Sequence, residues 1–303
     1  MAEDIPFDRA FDAVPGVAEE VAPGVRRVLA PNAGPFTFTG TCSYIVGRGE
    51  VAIIDPGPDD PAHLAALLAA VAGETVTHVF LTHTHRDHSG ALPALIARTG
   101  AATYGEGPHR PARELHLGEV NTLDAAADRA FLPNVALADG ACVEGHGWTL
   151  TALATPGHTA NHMAFALKGA GLIFVGDHVM AWSTSIVAPP DGAMSDYMAS
   201  LQRLRDRPER LYLPGHGGPV REGHAFVERY IRHRVARESA ILRALARGPM
   251  TIPDIVRAIY IGLDPRLFTA AGLSTLAHLE DLVGRAQVLS EGPPAFDGTF
   301  RLA

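Results

Sequence analysis

Thr82-His83-Thr84-His85-Arg86-Asp87-His88 places three imidazoles and a carboxylate within six positions, directly after the apolar run Val79-Phe80-Leu81. Imidazole with carboxylate is the ligand set that borderline-soft divalent ions such as zinc prefer. One ion does not need four such groups from one turn, so the stretch points to two ions side by side. Three more candidates follow, each in a glycine-containing turn after a hydrophobic strand: His158 in Thr-Pro-Gly-His-Thr, Asp177 in Val-Gly-Asp-His and His216 in Leu-Pro-Gly-His-Gly. Any one of these histidines alone reads as a polar turn residue. Five of them in four such turns, together with two aspartates, read as a metal centre.

These residues resemble the signature of the metallo-β-lactamase superfamily: an HxHxDH run, then a histidine, an aspartate and a last histidine, in that chain order. The match falls on His83, His85, Asp87 and His88, then on His158, Asp177 and His216. Asp55-Pro-Gly at the end of an early strand and the segment 182–201 extend the likeness. That segment and the chain from about residue 225 are similar to the β-lactamase-like protein 2 branch, which ends in a winged-helix domain. Glyoxalase II is a more distant likeness. The resemblance implies an α/β fold: an αββα sandwich over residues 1–224, and a small winged-helix domain over 225–303.

His83 and His85 are two apart, so an extended backbone at the strand's end turns both imidazoles to one side. With His158 they form the expected first site. Asp87 and His88 begin the next turn and form the second with His216. Asp177 bridges the ions, which stand ~3.5–4 Å apart in two-metal sites. Two Lewis acids lower the pKa of a shared water toward ~7, giving hydroxide at neutral pH. Hydrolysis is therefore the expected chemistry, with two Zn2+ as cofactor and Mn2+ or Fe2+ able to fill the same ligands. The superfamily's persulfide dioxygenases use a single iron, and the full second-site set argues against that version here.

Asp87 and Asp177 are the expected catalytic carboxylates. His178, next to Asp177, is a further catalytic candidate as proton donor or hydrogen-bond partner, although neighbours in an extended segment face opposite ways. His162 carries the same ambiguity. By resemblance, a loop containing Ser183, Thr184, Ser185 and Pro189-Pro190-Asp191-Gly192 lies over the metal site, with Tyr197 just beyond it. These residues read either as substrate contacts or as turn and core residues, as Ser195 reads as a cap.

A chain of 303 residues, 47% of them apolar, suffices for one large α/β domain and a small appendage. No run approaches the ~20 apolar residues of a membrane span. The opening MAEDIPFDRAFD lacks the basic start and apolar centre of a signal peptide, so a cytoplasmic protein without a membrane partner is expected. Cys42 and Cys142 stand outside every ligand motif and read as two small buried residues, not joined in a disulfide. Net charge is −8, yet residues 225–303 hold ten Arg against eight acids, so the negative charge lies in residues 1–224.

Along the chain, residues 44–46 and 51–54 flank Gly47-Arg48-Gly49-Glu50 as a β-hairpin. Asp59-Asp60-Pro61 starts a helix to about residue 71. Strands are expected at 77–81, 149–154, 163–167, 172–175 and 210–213, with a short helix at 91–98. Residues 105–140 form a polar insertion of unassigned shape. The tail reads as a helix over 225–247 with a break near Val235, a second from Thr251, a third over 274–283, and a hairpin around Asp297-Gly298.

The substrate is read least directly. Asp177 stands where many zinc β-lactamases have cysteine, which argues against antibiotics. The winged-helix tail departs from the glutathione-binding helices of glyoxalase II. The β-lactamase-like protein 2 likeness implies single-stranded RNA as a substrate, but no Lys/Arg-rich, aromatic-lined track is visible in the sequence. A small-molecule ester or thioester therefore stands slightly ahead of RNA. A metabolite-sensing DNA-binding regulator is the reading from another class. It fits poorly, because the third tail helix carries two acids and no Arg or Lys, so DNA is not an expected partner. The tail's apolar residues instead suit packing on the catalytic domain, near Tyr260 or Phe268, or contact with a second copy in a homodimer.

Overall fold

Alternate residues of the central strands belong to different cores. In the computed structural model, which describes residues 5–117, 119 and 126–303, the expected hairpin is β3 (Cys42–Arg48) and β4 (Glu50–Ile54), where β1 (Ala18–Ala22) and β2 (Val25–Leu29) precede them. Cys42, Tyr44, Val46, Ala52 and Ile54 enter one core, and Ile45, Val51 and Ile53 another. Both faces are covered, so the strands are apolar at nearly every position, and the period of two divides them between layers.

A seven-stranded sheet runs in chain order from β1 through β5 (Thr75–Phe80) and β6 (Ala102–Gly105) to β7 (Val135–Ala136). It is antiparallel up to β4 and parallel from β4 onward. The second sheet has the order β12-β11-β10-β9-β8, built from β8 (Cys142–Gly145), β9 (Trp148–Ala154), β10 (Met163–Leu167), β11 (Leu172–Gly176) and β12 (Leu211–Pro214). Phe80 of the first sheet meets Leu150, Phe165, Phe174 and Leu213 of the second in the layer between them.

Helices close the two outer faces. α1 (Pro61–Ala70) places Leu67 on the first sheet, and its N-terminus is capped by Asp60, whose Oδ1 accepts from the His63 amide at 2.8 Å. After the one-turn α2 (Arg86–Ser89), α3 (Leu92–Thr99) adds Leu92 and Leu95. α4 (Met194–Arg205) and the first half of α5 (Gly223–Leu245) cover the second sheet through Tyr197, Leu201, Phe226, Val227 and Tyr230. The αββα sandwich is thus observed.

α5 runs unbroken through Val235, against the expected break. Its early residues Phe226, Val227 and Tyr230 serve the sandwich, whereas Ile241 and Leu245 serve a separate C-terminal core. The change of apolar face near Val235, which is 51% exposed, marks a hand-over between cores rather than a kink. β13 (Met250–Thr251), α6 (Ile252–Ile259), α7 (Phe268–Gly284), β14 (Val288–Ser290) and β15 (Thr299–Leu302) complete a winged-helix domain with sheet order β13-β15-β14. α7 begins earlier than the expected 274, because Ala271 is buried there and Gly272 lets the Phe296 ring approach to where a Cβ would stand 2.6 Å away.

Within the polar insertion, Arg113 pairs with Glu119 and, across to α7, with Glu280. Positions 118 and 120–125 of that insertion lie outside the described residues. Both cysteines are free thiols, and Cys42 is buried as expected, whereas Cys142 is exposed because it lies on β8, the edge strand of the second sheet. Among the described residues no helix is long and apolar enough to cross a membrane.

Candidate metal centre

All seven expected ligands converge where strand ends from both sheets meet. His83 and His85 follow β5, Asp87 and His88 lie on α2, His158 joins β9 to β10, Asp177 follows β11, and His216 follows β12. Packed α/β sheets deliver ligand loops in this way, from the strand ends.

The ligand atoms fall into two halves. His85 Nδ1 stands 3.1 Å from His83 Nε2 and 3.1 Å from His158 Nε2. In the other half, His88 Nε2 and His216 Nε2 stand 3.4 and 3.2 Å from Asp87 Oδ2. Asp177 lies between: its Oδ1 is 3.3 Å from His88 Nε2, and its Oδ2 is 3.3 Å from His216 Nε2 and 3.8 Å from His158 Nε2. Within each of the groups His83-His85-His158, His83-His88-Asp177 and Asp87-His88-His216, the ligand atoms are all close enough to hold one metal ion.

The outer hydrogen bonds decide which nitrogen each ring presents. His158 Nδ1 donates to the Ile186 carbonyl at 2.6 Å, and His216 Nδ1 to the Gly40 carbonyl at 3.2 Å. A carbonyl can only accept, so the proton sits on Nδ1 and Nε2 keeps its lone pair. His88 Nδ1 donates to Asp55 Oδ2 at 2.9 Å with the same result. Thr82 Oγ1 gives its own proton to Asp55 Oδ2 at 2.7 Å, so it accepts from His83 Nδ1 at 3.0 Å. Four rings therefore turn Nε2 lone pairs inward. Such outer partners fix the tautomer of metal-ligating histidines.

The electrostatics of these residues favour positive charge at this point. Burial pushes His85 down to about 3 and holds His83 well below the usual histidine range, so both rings are neutral, the form in which an imidazole can bind a metal. Burial opposes charge on His88 and His216 as well. Nevertheless Asp87, Asp177 and Asp55 raise His88 well above its ordinary value, and Asp177 with Asp87 carries His216 up to about 9. The carboxylates thus favour positive charge beside these two rings. Asp177 Oδ1 and His88 Nε2 are buried and face one another at 3.3 Å, and among the described residues neither makes a well-formed hydrogen bond. A buried carboxylate left this way is costly, and a divalent ion satisfies both atoms. The residues fit the metals.

Gly215 belongs to the same construction. A Cβ there would lie 2.5 Å from Asp177 Oδ1 and 2.6 Å from His88 Cε1, so no side chain fits behind the second half.

Other candidates are placed elsewhere. The His178 ring is wholly buried, lies 4.4 Å from the Tyr197 ring and does not line the cavity over the cluster. Burial pushes it down to about 3. The proton-donor reading of His178 thus gives way to a packing one, because the chain turns its ring into the core while Asp177 faces the ligands. His162 is also buried, with Nδ1 2.8 Å from Thr155 Oγ1. Tyr197 is core, its hydroxyl donating to the His178 carbonyl at 2.8 Å, and Ser185 Oγ donates to the same carbonyl at 2.8 Å. Asp191 is buried, 3.4 Å from His109 Nε2, and Ser195 is exposed at the start of α4.

The sequence reading gave no role to Asp55 or Thr82, which orient His88 and His83. The available signal was an acid at the end of a buried strand, in a turn that sets Asp55 at φ +52. The sequence reading placed the 183–192 loop over the site and the tail on the catalytic domain, but did not name the side chains that line the space above the cluster. A cavity of about 410 Å3 is lined by His85, Asp87, His158, Asp177 and His216 on one side. Phe36, Met180 and Ile186 line it too, with Arg266, Thr269, Ala270 and Leu273 from the C-terminal domain. Tyr260 lies in the neighbouring cavity, whereas Phe268 packs into the C-terminal core.

Comparison with known proteins agrees with this picture. Residues 36–216 match the metallo-beta-lactamase superfamily, and residues 251–293 the beta-lactamase associated winged helix domain. The chain belongs to the metallo-β-lactamase superfamily and is a hydrolase of that class. Within it, the chain is 31% identical to Lactamase-like protein adaB of Aspergillus niger, over 97% of this chain and 95% of the relative. An atrochrysone carboxyl ACP thioesterase of Aspergillus terreus is 31% identical over 84% of this chain and 77% of its own length. A Beta-lactamase-like protein 2 homolog of Caenorhabditis elegans is 29% identical over 80% and 78%. Among solved structures, a metallo-beta-lactamase family protein of Thermus thermophilus superposes with a TM-score of 0.75 at 28% identity, covering 94% of this chain and 100% of that one.

Proposed function

We propose that this protein is a binuclear, zinc-dependent hydrolase of a small ester or thioester. The carrying observation is the set of fixed tautomers: four imidazoles anchored at Nδ1 with Nε2 turned inward, around a carboxylate that reaches both halves. His83, His85 and His158 would hold one ion, Asp87, His88 and His216 the other, and Asp177 would touch both. Bound there, the ions supply Lewis acidity toward the acyl oxygen and lower the pKa of a water toward ~7.

The chain's own groups do the rest. Asp87, whose Oδ2 faces His88 and His216, would orient the attacking water with its second carboxylate oxygen and relay its proton to the leaving group. The water oxygen joins the acyl carbon, the bond to sulfur or ester oxygen breaks, and the leaving group carries the proton away. Phe36, Met180, Ile186 and Leu273 hold the acyl part and exclude bulk water.

The similarity to a named thioesterase supports the thioester side of this reading. RNA is the alternative substrate, and it needs an open basic track with stacking surfaces. Among the described residues, the wall around the cluster is instead mainly apolar, with Arg266 as its one arginine. α7 turns Leu276, Leu279 and Leu282 into the C-terminal core, which favours packing over DNA reading. We keep 1–224 and 225–303 as the two units, with α5 shared between their cores. Two free cysteines suit a reducing, cytoplasmic setting.

The test is a panel of thioesters, lactones, phosphodiesters and short RNA on zinc-loaded protein, with Asp177→Ala as control. Turnover of thioesters or esters that is lost in the variant is expected. Cleavage confined to RNA overturns the assignment.

A further inference from the structure

A second cavity, of about 420 Å3, adjoins the one over the cluster, and Phe36, Met180, Ile186 and Ala270 belong to the walls of both. Its charged lining has one sign. Arg9, Arg234 and Arg237 line it, and no Asp or Glu does. Arg234 and Arg237 stand three apart on α5 and so share a helix face.

Arg234 is only 4% exposed. Its guanidinium donates to the Ser185 carbonyl and to Ser274 Oγ and lies 5.0 Å over the Tyr197 ring, and among the described residues its Nε has no hydrogen-bond partner. Arg237 donates to the Ile259 carbonyl at 3.1 Å and lies 3.8 Å over the Tyr260 ring. Among the described residues no carboxylate lies within ion-pair distance of either arginine. A buried guanidinium loses its hydration, and neutral acceptors do not return a counter-charge. The remaining lining mixes aromatic rings with aliphatic and hydroxyl side chains and His233, and Trp182 stacks on Phe38 at 4.9 Å.

We propose that this cavity is a substrate subsite for a terminal anion, a carboxylate or a phosphate, on the acyl compound whose reacting bond lies at the ligand cluster. The proposal rests on the hydrolase reading above and narrows its substrate to anionic thioesters or esters. Guanidinium groups bind such oxyanions through paired, charge-assisted hydrogen bonds. A terminal anion reaches a buried arginine end-on, past the four shared side chains. A polynucleotide carries its phosphates mid-chain and needs an open track, which a buried Arg234 does not provide.

The test uses matched thioesters on the zinc-loaded full chain. One pair is the N-acetylcysteamine thioester of a dicarboxylic half-acid and its methyl ester. The other is a pantetheine thioester with and without its phosphate. The two pairs separate an anion on the acyl side from one on the thiol side. In one pair the charged member should show a KM lower by about tenfold or more, with kcat changed far less. That advantage should shrink in Arg237→Gln, vanish in Arg234→Gln, and fall with added salt. Equal KM values within both pairs overturn the proposal.

A binding arm needs no turnover. 2-Naphthoate and its neutral analogue 2-naphthalenemethanol are titrated while Trp182 fluorescence is followed, with Trp182→Phe to identify the signal. Preference for naphthoate that is weakened in Arg237→Gln supports the subsite even if every thioester proves inert, which would overturn the hydrolase reading alone. Turnover of thioesters with no preference for naphthoate overturns the subsite alone. Displacement of naphthoate by a short oligoribonucleotide that is then cleaved overturns the small-substrate assignment. If Arg234→Gln does not fold, the wild-type ratios and Arg237→Gln still decide the matter.

Discussion

Asp55 Oδ2 accepts from His88 Nδ1 at 2.9 Å and from Thr82 Oγ1 at 2.7 Å, so one buried carboxylate orients a ligand in each half of the candidate centre. Asp55→Asn keeps the left-handed backbone, which Asn tolerates, but offers an amide where His88 needs an acceptor. Metal affinity should fall about 10–100-fold, measured by competition with a chromogenic chelator. Wild-type affinity together with wild-type turnover would remove Asp55 from the assembly.

Elemental analysis of protein prepared without chelator should give close to two ions per chain, zinc by default. The expectation comes from the two separate ligand groups His83-His85-His158 and Asp87-His88-His216. A reproducible content of one or less would sink the binuclear reading.

Asp177→Ala should reduce turnover on the order of 10³-fold or more, the cost of losing metal-activated water. Asp177 belongs to none of the apolar clusters that hold the sandwich together. Circular dichroism should therefore remain native-like. Near-normal kinetics would place the chemistry elsewhere.

Gly215→Ala tests the space behind the second half. Its methyl group would meet Asp177 Oδ1 and His88 Cε1 at 2.5 and 2.6 Å. The His83-His85-His158 half lies farther off, so one ion should be retained and the other lost. Retention of two ions with full activity would show that the neighbouring backbone yields.

Deleting 225–303 should cause aggregation. The cut removes Phe226, Val227 and Tyr230 from the sandwich core, exposing apolar area against a marginal folding free energy of about 5–15 kcal/mol. A soluble truncation with unchanged kinetics would contradict the role of Arg266, Thr269, Ala270 and Leu273 over the cluster. Duplex DNA binding by the intact chain with a steep salt dependence would revive the regulator reading.

The sequence by itself determined the family, the sandwich and the seven candidate ligands. Ligand chemistry is local: imidazoles and carboxylates in short glycine turns after apolar strands carry their own signal. Periodicity located the strands, since a run such as Met163–Leu167 needs apolar residues on both faces wherever it lies between two layers. Only the tertiary structure decided that Asp55 and Thr82 set the tautomers of His88 and His83, that His178 turns into the core, and that the C-terminal domain roofs the cavity. Each of these depends on contacts between residues far apart in the chain: 33 positions separate Asp55 from His88, and 49 separate Ser185 from Arg234. No local pattern of residues records such a meeting. It arises when the two sheets and α5 pack, because packing alone fixes which buried polar atoms must find one another.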